Sequence, residues 1–192
     1  MRYEKGHKDA TRQRIIDVAS RQFREHGVAA VGLAGIMIDA GLTNGAFYAH
    51  FGSKEDLVRE VLANADKRNE VWQAAAEGGA GLANAIRGYL SSRHRDNPGR
   101  GCPISALAAE IARHPKATRD AFTGKVTNVI ELIATHLNSG TKRERRQKAV
   151  AVYGLMVGTL QLARAVNDKR LSDEILQSGA AEAISLAGQD GR

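Results

Sequence analysis

Cysteine, proline and aromatic residues are scarce in this sequence of 192 residues. Its single cysteine, Cys102, excludes an internal disulfide framework. With only three prolines, long segments rich in alanine, leucine and charged residues contain no helix breaker, which favours helices over strands. Because 43% of the residues are hydrophobic, the chain can bury a core. We therefore predict an all-α fold.

Long hydrophobic runs are also missing. The one long uncharged stretch, Ala149 to Ala163, contains Gln161 and is shorter than the roughly 20 residues that a membrane-spanning helix needs. The N-terminus has no continuous apolar segment of signal-peptide length. We expect a cytoplasmic protein with no membrane partner.

The sequence has no motif of a common enzyme class. It contains no nucleophile elbow, phosphate-binding loop or HExxH motif, and its six histidines are scattered without the spacing of metal ligands. We predict no enzymatic activity, no cofactor and no metal site. A formal charge of +7 instead suits a partner covered in phosphate, although charge alone is weak evidence.

Hydrophobic spacing, glycines and capping residues predict nine helices. The first carries apolar residues at helical spacing and ends at Gly27. Two short helices follow, one at about residues 33–40 and one that Thr43 caps and that holds Phe47 and Phe51. Ser53 is predicted to cap the fourth, with Asp56 as a variant of the capping box. The last six helices are expected at about residues 53–78, 81–95, 103–113, 115–138, 141–167 and 171–188.

The two short helices predict a helix-turn-helix. Phe47 and Phe51 are four residues apart and share the inner face of the third helix, whereas Asn44 and Tyr48 share an outward face.

Gly45 and Ala46 leave the outward surface thin, so this helix can approach base edges closely. Asn44 is then placed to pair with an adenine in the major groove. The alternative is that the aromatic residues here are plain core and that Lys54 is a solvated surface charge.

The segment IIDVASRQFREHG, followed by IMIDAGLTNGAFYAHFGSKEDL, resembles the TetR family of bacterial transcriptional regulators. The resemblance covers roughly the first 55 to 60 residues. The matching positions are Ala19, Phe23, Gly27, Ile36, Ala40, Gly41, Gly45, Phe47, Tyr48, His50, Phe51, Lys54 and Leu57.

The resemblance implies a DNA-binding transcriptional regulator, most often a repressor, that a small-molecule effector releases from a palindromic operator in double-stranded DNA. It also implies a homodimer. Residues 1–55 would form the helix-turn-helix domain, and residues 56–192 would form a helical domain for ligand binding and dimerisation.

The resemblance also implies phosphate contacts by Tyr48, His50 and Lys54. Thr43 is suited to donate to a phosphate, and the basic N-terminal segment is suited to reach flanking backbone or the minor groove. The complete predicted DNA-binding set is Lys5, Lys8, Arg12, Thr43, Asn44, Gly45, Ala46, Tyr48, His50 and Lys54.

Two features depart from the family pattern. Val31 and Gly32 stand where the family often has Thr or Ser, and Gly35 lies inside the second helix, where glycine costs about 1 kcal/mol. No Lys or Arg occurs between Arg24 and Lys54, so base recognition must depend on neutral groups.

The C-terminal helices are expected to enclose an effector pocket. With only 5% aromatic residues, the chain favours a small, mostly aliphatic or weakly polar effector. Each candidate is also compatible with a plain core role. The predicted lining residues are Trp72, Tyr89, Cys102, Ile104, Leu107, Phe122, Val126, Tyr153, Met156 and Leu160.

Three features of this region leave alternatives open. Cys102, placed by Pro103 at a helix N-terminus, suits either a thiol sensor or inert packing. The eighth helix is apolar almost all round, which predicts burial on more than one side. Gly154 and Gly158 permit close helix contact, either between subunits or within one chain.

A second function stays open from the sequence. A helical dimer with a degenerate helix-turn-helix would act as a protein-interaction module without specific DNA binding.

Overall fold

The computed structural model describes residues 3–64 and 81–188, with only the backbone described for residues 3–6. These residues form α-helices and two 3-10 helices and contain no strand, which confirms the all-α prediction. The α-helices are α1 (Tyr3–His26), α2 (Leu33–Asp39), α3 (Lys54–Asn64), α4 (Gly81–Tyr89), α5 (Ser92–Asp96), α6 (Pro103–Ile111), α7 (Lys116–Thr135), α8 (Lys142–Ala165) and α9 (Lys169–Leu186). The 3-10 helices are Asn44–Ala49 and Pro98–Arg100.

The described residues divide into two compact units. The first contains residues 3–64 and 98–123, and the second contains residues 81–97 and 124–188. The boundary predicted at residue 55 stays a prediction.

The first unit has one hydrophobic core. Phe23 of α1, Phe47 of the first 3-10 helix and Leu57 of α3 are fully buried in it. Leu107 and Ile111 of α6 belong to the same core. Residues far along the chain therefore complete the packing of the N-terminal helices.

The end of α1 follows from the glycine predicted there. Gly27 has a φ of +82°, a left-handed conformation that side chains other than glycine rarely adopt, and its N–H donates to the Phe23 carbonyl at 2.9 Å. One turn earlier, Arg24 donates from Nε to the Gly99 carbonyl at 2.9 Å. This bond joins α1 to the second 3-10 helix.

The start of α3 confirms one of two capping predictions. The Asp56 N–H donates to Ser53 Oγ at 3.1 Å, which confirms Ser53 as the cap. The Asp56 carboxylate pairs with Arg59 one turn further on, and among the described residues it accepts no bond from the Ser53 N–H, so the predicted capping box is not formed. The predicted continuation of this helix from residue 65 to residue 78 lies outside the described residues.

The prediction of one continuous helix at residues 81–95 is wrong, because this segment forms two helices, α4 and α5. Ser91 stands between them, and its Oγ donates to the Gly88 carbonyl at 2.7 Å and accepts from the His94 N–H at 3.3 Å. A serine that bonds both flanking backbones ends one helix and caps the next.

The helices α8 and α9 pack along each other in the second unit. Thr141 and Glu144 form a capping box at the start of α8, with the Thr141 N–H donating to the Glu144 carboxylate at 2.7 Å. Gly179 of α9 faces Thr159 so closely that an added Cβ would lie 2.4 Å from its side chain. The small residue therefore sets how near the two helices come.

The sequence predicts that the eighth helix, α8, is buried on more than one side, with one side facing a second subunit; the single chain leaves this a prediction. Met156 and Leu160 are fully buried, whereas Val150 is 48% exposed and Leu162 is 60% exposed. One apolar face of α8 thus packs inside the unit and another is uncovered in the single chain.

Two further properties hold for the part of the chain that the structure describes. None of its helices combines the length and the apolar character that crossing a membrane requires. It also contains no cluster of three or more histidine, cysteine, aspartate or glutamate residues that could hold a metal ion.

Candidate nucleic-acid interface

The predicted third helix is a 3-10 helix, Asn44–Ala49, of six residues. Thr43 occupies the N-cap position with extended backbone, but its side chain makes no capping hydrogen bond within the described residues, so the predicted cap is wrong. The Thr43 side chain is exposed instead.

The two phenylalanines hold this element against the core, as predicted. Phe47 and Phe51 are buried, and their rings stack with centroids 5.5 Å apart. Tyr48 is 71% exposed and meets the edge of Phe47 at 5.3 Å. Asn44 and Gly45 are exposed as well, and Ala46 is half-buried. The inner and outer faces therefore match the prediction, although the helix type differs.

Lys8, Arg12 and His50 come together beside this element. Arg12 pairs with Glu60 at 2.8 Å and lies over the Phe51 ring at 4.9 Å from its centroid. Burial, followed by the positive charges of Lys8 and Arg12, lowers the pKa of His50 below its ordinary value. His50 Nδ1 is buried without a hydrogen-bond partner among the described residues. The Lys5 side chain lies outside the described residues.

Lys54 has an unexpected partner in the first unit. Its Nζ donates to the Val28 carbonyl at 2.6 Å, and the side chain is half-buried. Val28 lies in the turn between α1 and α2, so Lys54 connects the start of α3 to that turn. An ammonium has three N–H donors, and this bond uses one of them.

Several polar residues that hold the N-terminal helices could not be predicted from the sequence. Glu110 of α6 accepts from the Val28 N–H at 2.8 Å and from the Ala29 N–H at 2.5 Å. Glu55 of α3 accepts from Thr118 Oγ1 at 2.7 Å and lies 2.8 Å from His114 Nδ1. No local motif marks these residues, because their partners are more than 50 positions away.

The start of α2 lacks a polar side chain, as the departures from the family pattern predict. Gly32 is the N-cap, and no acidic residue lies in the first turn. An added Cβ at Gly35 would meet no heavy atom of the described residues within 4 Å. An open cleft of about 510 Å³ lies here, lined in part by Arg21, Gln22 and Asp39.

The predicted effector residues fall into both units, and Trp72 lies outside the described residues. All of the described ones are buried except Phe122 and Val126, which are half-buried. The first unit contains Cys102, Ile104, Leu107 and Phe122. The second unit contains Tyr89, Val126, Tyr153, Met156 and Leu160.

Within the second unit, Tyr89 and Tyr153 meet edge to face at 6.4 Å. The cleft described above and a second one of about 300 Å³, beside Arg95 and Arg164, contain none of the predicted effector residues.

Cys102 lies where the sequence places it, at the N-terminus of α6. It is the N-cap residue, Pro103 begins the helix, and only 5% of Cys102 is exposed. The adjacent Arg100 is exposed.

Comparison with known protein families matches most of the chain. Residues 15–61 match the model of bacterial regulatory proteins of the tetR family, and residues 78–178 match the model of the tetracyclin repressor-like C-terminal domain. The second match alone covers more than half of the 192 residues.

Relatives and solved structures agree with these matches. The HTH-type transcriptional regulator AcrR of Shigella flexneri is 49% identical over 51 residues, which are 27% of this chain and 24% of AcrR. The HTH-type transcriptional repressor KstR2 of Rhodococcus jostii is 38% identical over 55 residues, or 29% of this chain and 27% of KstR2. The matches thus span about a quarter of the length of these two relatives.

A TetR transcriptional regulator from Chloroflexus aurantiacus has the same fold, with a TM-score of 0.76, 23% identity and 98% of each chain covered. Similarity at this level of identity concerns the fold. The two domain matches, the second of them over more than half of the chain, show that this chain belongs to the TetR family, whose members are DNA-binding transcriptional regulators and not enzymes.

Proposed function

We propose that this protein is a repressor that binds a palindromic operator as a homodimer and is released by a small-molecule effector. One observation carries the proposal: Asn44, Gly45 and Tyr48 are exposed on an element that Phe47 and Phe51 fix to the core. A rigid, thin, polar surface of this kind suits the major groove. Such a protein acts where the chromosome is, and we propose the bacterial cytoplasm.

Base recognition is assigned to Asn44. Its exposed amide can accept and donate toward an adenine at the same time, and the two residues that follow it, Gly45 and Ala46, are small. Since no Lys or Arg lies between Arg24 and Lys54, this neutral amide is the main candidate for sequence preference.

Phosphate contacts are assigned to the residues around this element. Tyr48 and Thr43 present exposed hydroxyls, and His50 lies with Lys8 and Arg12 in one positively charged group. Lys54 retains two N–H donors beyond its bond to Val28. Lys5 belongs to the proposed set on its sequence position alone. These contacts fix the protein on the duplex without reading its sequence.

The proposed dimer uses the uncovered face of α8. Val150 and Leu162 are exposed apolar residues of α8, and dimerisation is typical of the family. An added Cβ at Gly154 or Gly158 would meet no heavy atom of the described residues within 4 Å. Open space beside both glycines favours contact with a second subunit over packing within one chain.

The proposed effector binds the C-terminal helices. The match to the tetracyclin repressor-like C-terminal domain supports a ligand-binding role for the second half of the chain. The buried residues predicted for the pocket are mostly apolar, and Tyr89 and Tyr153 add hydroxyl groups. We propose a small, mostly apolar effector that binds a conformer whose recognition elements are wrongly spaced, because only such differential affinity releases DNA.

Two variants test the division between base and phosphate contacts. Binding is measured by fluorescence anisotropy against salt, with a duplex that the wild-type protein has selected from random DNA. Lys54→Ala should weaken binding to all DNA sequences similarly. It should also lower the slope of log affinity against log salt concentration by about one, because one phosphate contact is lost. Asn44→Ala should relax the preference for one base pair.

Lys116→Ala is the matched control, because this lysine of the first unit is 82% exposed and pairs only with the neighbouring Asp120 among the described residues. This variant should leave the salt slope and the base preference unchanged. A Lys54 variant that changes base preference and keeps the salt slope would contradict the assignment.

A further inference from the structure

The turn between α1 and α2 is held by charged side chains from two other helices. Glu110 of α6 binds the N–H groups of Val28 and Ala29, and Lys54 of α3 binds the Val28 carbonyl. Gly27 makes this approach possible, since even a Cβ there would lie 3.1 Å from the Glu110 carboxylate.

Two of these bonds act on one peptide group. The Val28 carbonyl and the Ala29 N–H belong to the same peptide, so Glu110 accepts at one end of its dipole while Lys54 donates at the other. Hydrogen bonds to charged partners are the stronger kind, and bonds in a chain polarise and strengthen one another. The peptide therefore connects a carboxylate to an ammonium that do not themselves need to touch.

The same segment of chain also holds the residue after Lys54. Glu55 accepts from Thr118, which is fully buried, and lies beside His114 at 2.8 Å. Residues 110–118 thus contact both the turn before α2 and the first turn of α3. They lie outside the segment 15–61 that matches the DNA-binding domain of the family.

We propose that Glu110 is a positioning residue for DNA binding, which orients the Lys54 ammonium toward the DNA through the Val28–Ala29 peptide. The DNA-binding device of this chain then includes part of α6. The inference depends on the phosphate contact proposed above for Lys54.

A double-mutant cycle tests this role. The DNA affinities of the wild type, Glu110→Gln, Lys54→Ala and the double variant are measured on the selected duplex at one salt concentration. Each of the two N–H groups bonds a different oxygen of Glu110, and glutamine has the same shape but an NH2 donor in place of one of these oxygens, so it cannot make both bonds. We expect Glu110→Gln to weaken DNA binding by about tenfold, the effect of losing one charge-assisted hydrogen bond. In the Lys54→Ala background the same change should have little effect.

Asp120→Asn controls for charge, because it also removes one carboxylate from the first unit but at a side chain 59% exposed. It should not weaken binding. Circular dichroism confirms that each variant is folded at the temperature of the titration. If Glu110→Gln does not fold, Glu110→Asp, which withdraws the carboxylate by one methylene, should show the same dependence on Lys54.

The possible outcomes separate the two proposals. Equal weakening by Glu110→Gln in both backgrounds would overturn the positioning role and leave the Lys54 contact intact, as would no weakening in the wild-type background. Unchanged affinity of Lys54→Ala would instead contradict the phosphate contact, and the positioning role would fail with it.

Discussion

His94 should make the stability of this protein depend on pH. Only 8% of the residue is exposed; its Nδ1 lies 2.7 Å from the Tyr89 carbonyl and its ring meets Tyr89 at 4.7 Å. Burial lowers the pKa of His94 from 6.5 to about 4, with a smaller lowering by the charge of Arg164 and an opposing effect of the bond to Tyr89.

The sign and size of the effect follow from this shift. Above pH 6.5 the imidazole is neutral in both states, and its contribution to stability is fully present. As the pH falls below 6.5, the unfolded chain takes up a proton that the folded protein binds only near pH 4. Each pH unit between these values costs about 1.4 kcal/mol, so the free energy of unfolding should fall by about 2 kcal/mol by pH 5 and by about 3 kcal/mol by pH 4.

Urea unfolding at pH 8, 7, 6 and 5, at one protein concentration, measures this dependence. His94→Gln removes the titrating group, so its free energy of unfolding should fall by about 2 kcal/mol less than that of the wild type between pH 8 and pH 5. His26→Gln is the control, because the side chain of His26 is 64% exposed. Equal losses in the wild type and His94→Gln would refute the reasoning, whatever the absolute stabilities.

Three further predictions concern other parts of the chain. DNA affinity should rise as the pH falls below 6.5, because burial lowers the pKa of His50 beneath that ordinary value and its protonation then adds a charge beside phosphate; His50→Gln should lose this rise in an anisotropy titration. Gly35→Ala should raise the free energy of unfolding by up to about 1 kcal/mol, since its Cβ meets open space inside α2; an unchanged or lowered urea midpoint would contradict this. Leu162→Glu should convert dimers to monomers in analytical ultracentrifugation, whereas Ile38→Glu, at another exposed apolar site in the first unit, should not; a dimeric Leu162→Glu would place the interface elsewhere.

Features fixed by neighbours in the sequence could be predicted. Gly27 ends α1 because the chain takes a left-handed backbone conformation there, which glycine adopts without strain. Ser53 caps α3 through the Asp56 N–H. The spacing of Phe47 and Phe51 predicted that both are buried, and they are, although the 3-10 helix ends at Ala49 and Phe51 lies two residues beyond it. The local spacing of apolar residues was sufficient to predict the burial of these two phenylalanines, because burial depends on which side of a segment faces the core.

Features that depend on distant residues could not be predicted. Glu110 binds residues about 80 positions away, and nothing near it in the sequence distinguishes it from an exposed glutamate. Lys54 matched a phosphate-contact position, but its bond to Val28 depends on the path of the turn. The break at Ser91 was missed because a single serine bonds both flanking helices without a glycine or proline to mark it.

Selection of tight-binding sequences from random duplex DNA by the purified protein, followed by titration against salt, tests the central claim most directly. We predict a consensus with two-fold symmetry, half-sites about one helical turn apart and a steep salt slope. Uniform weak binding without a consensus would contradict operator recognition and favour a helical protein-interaction module.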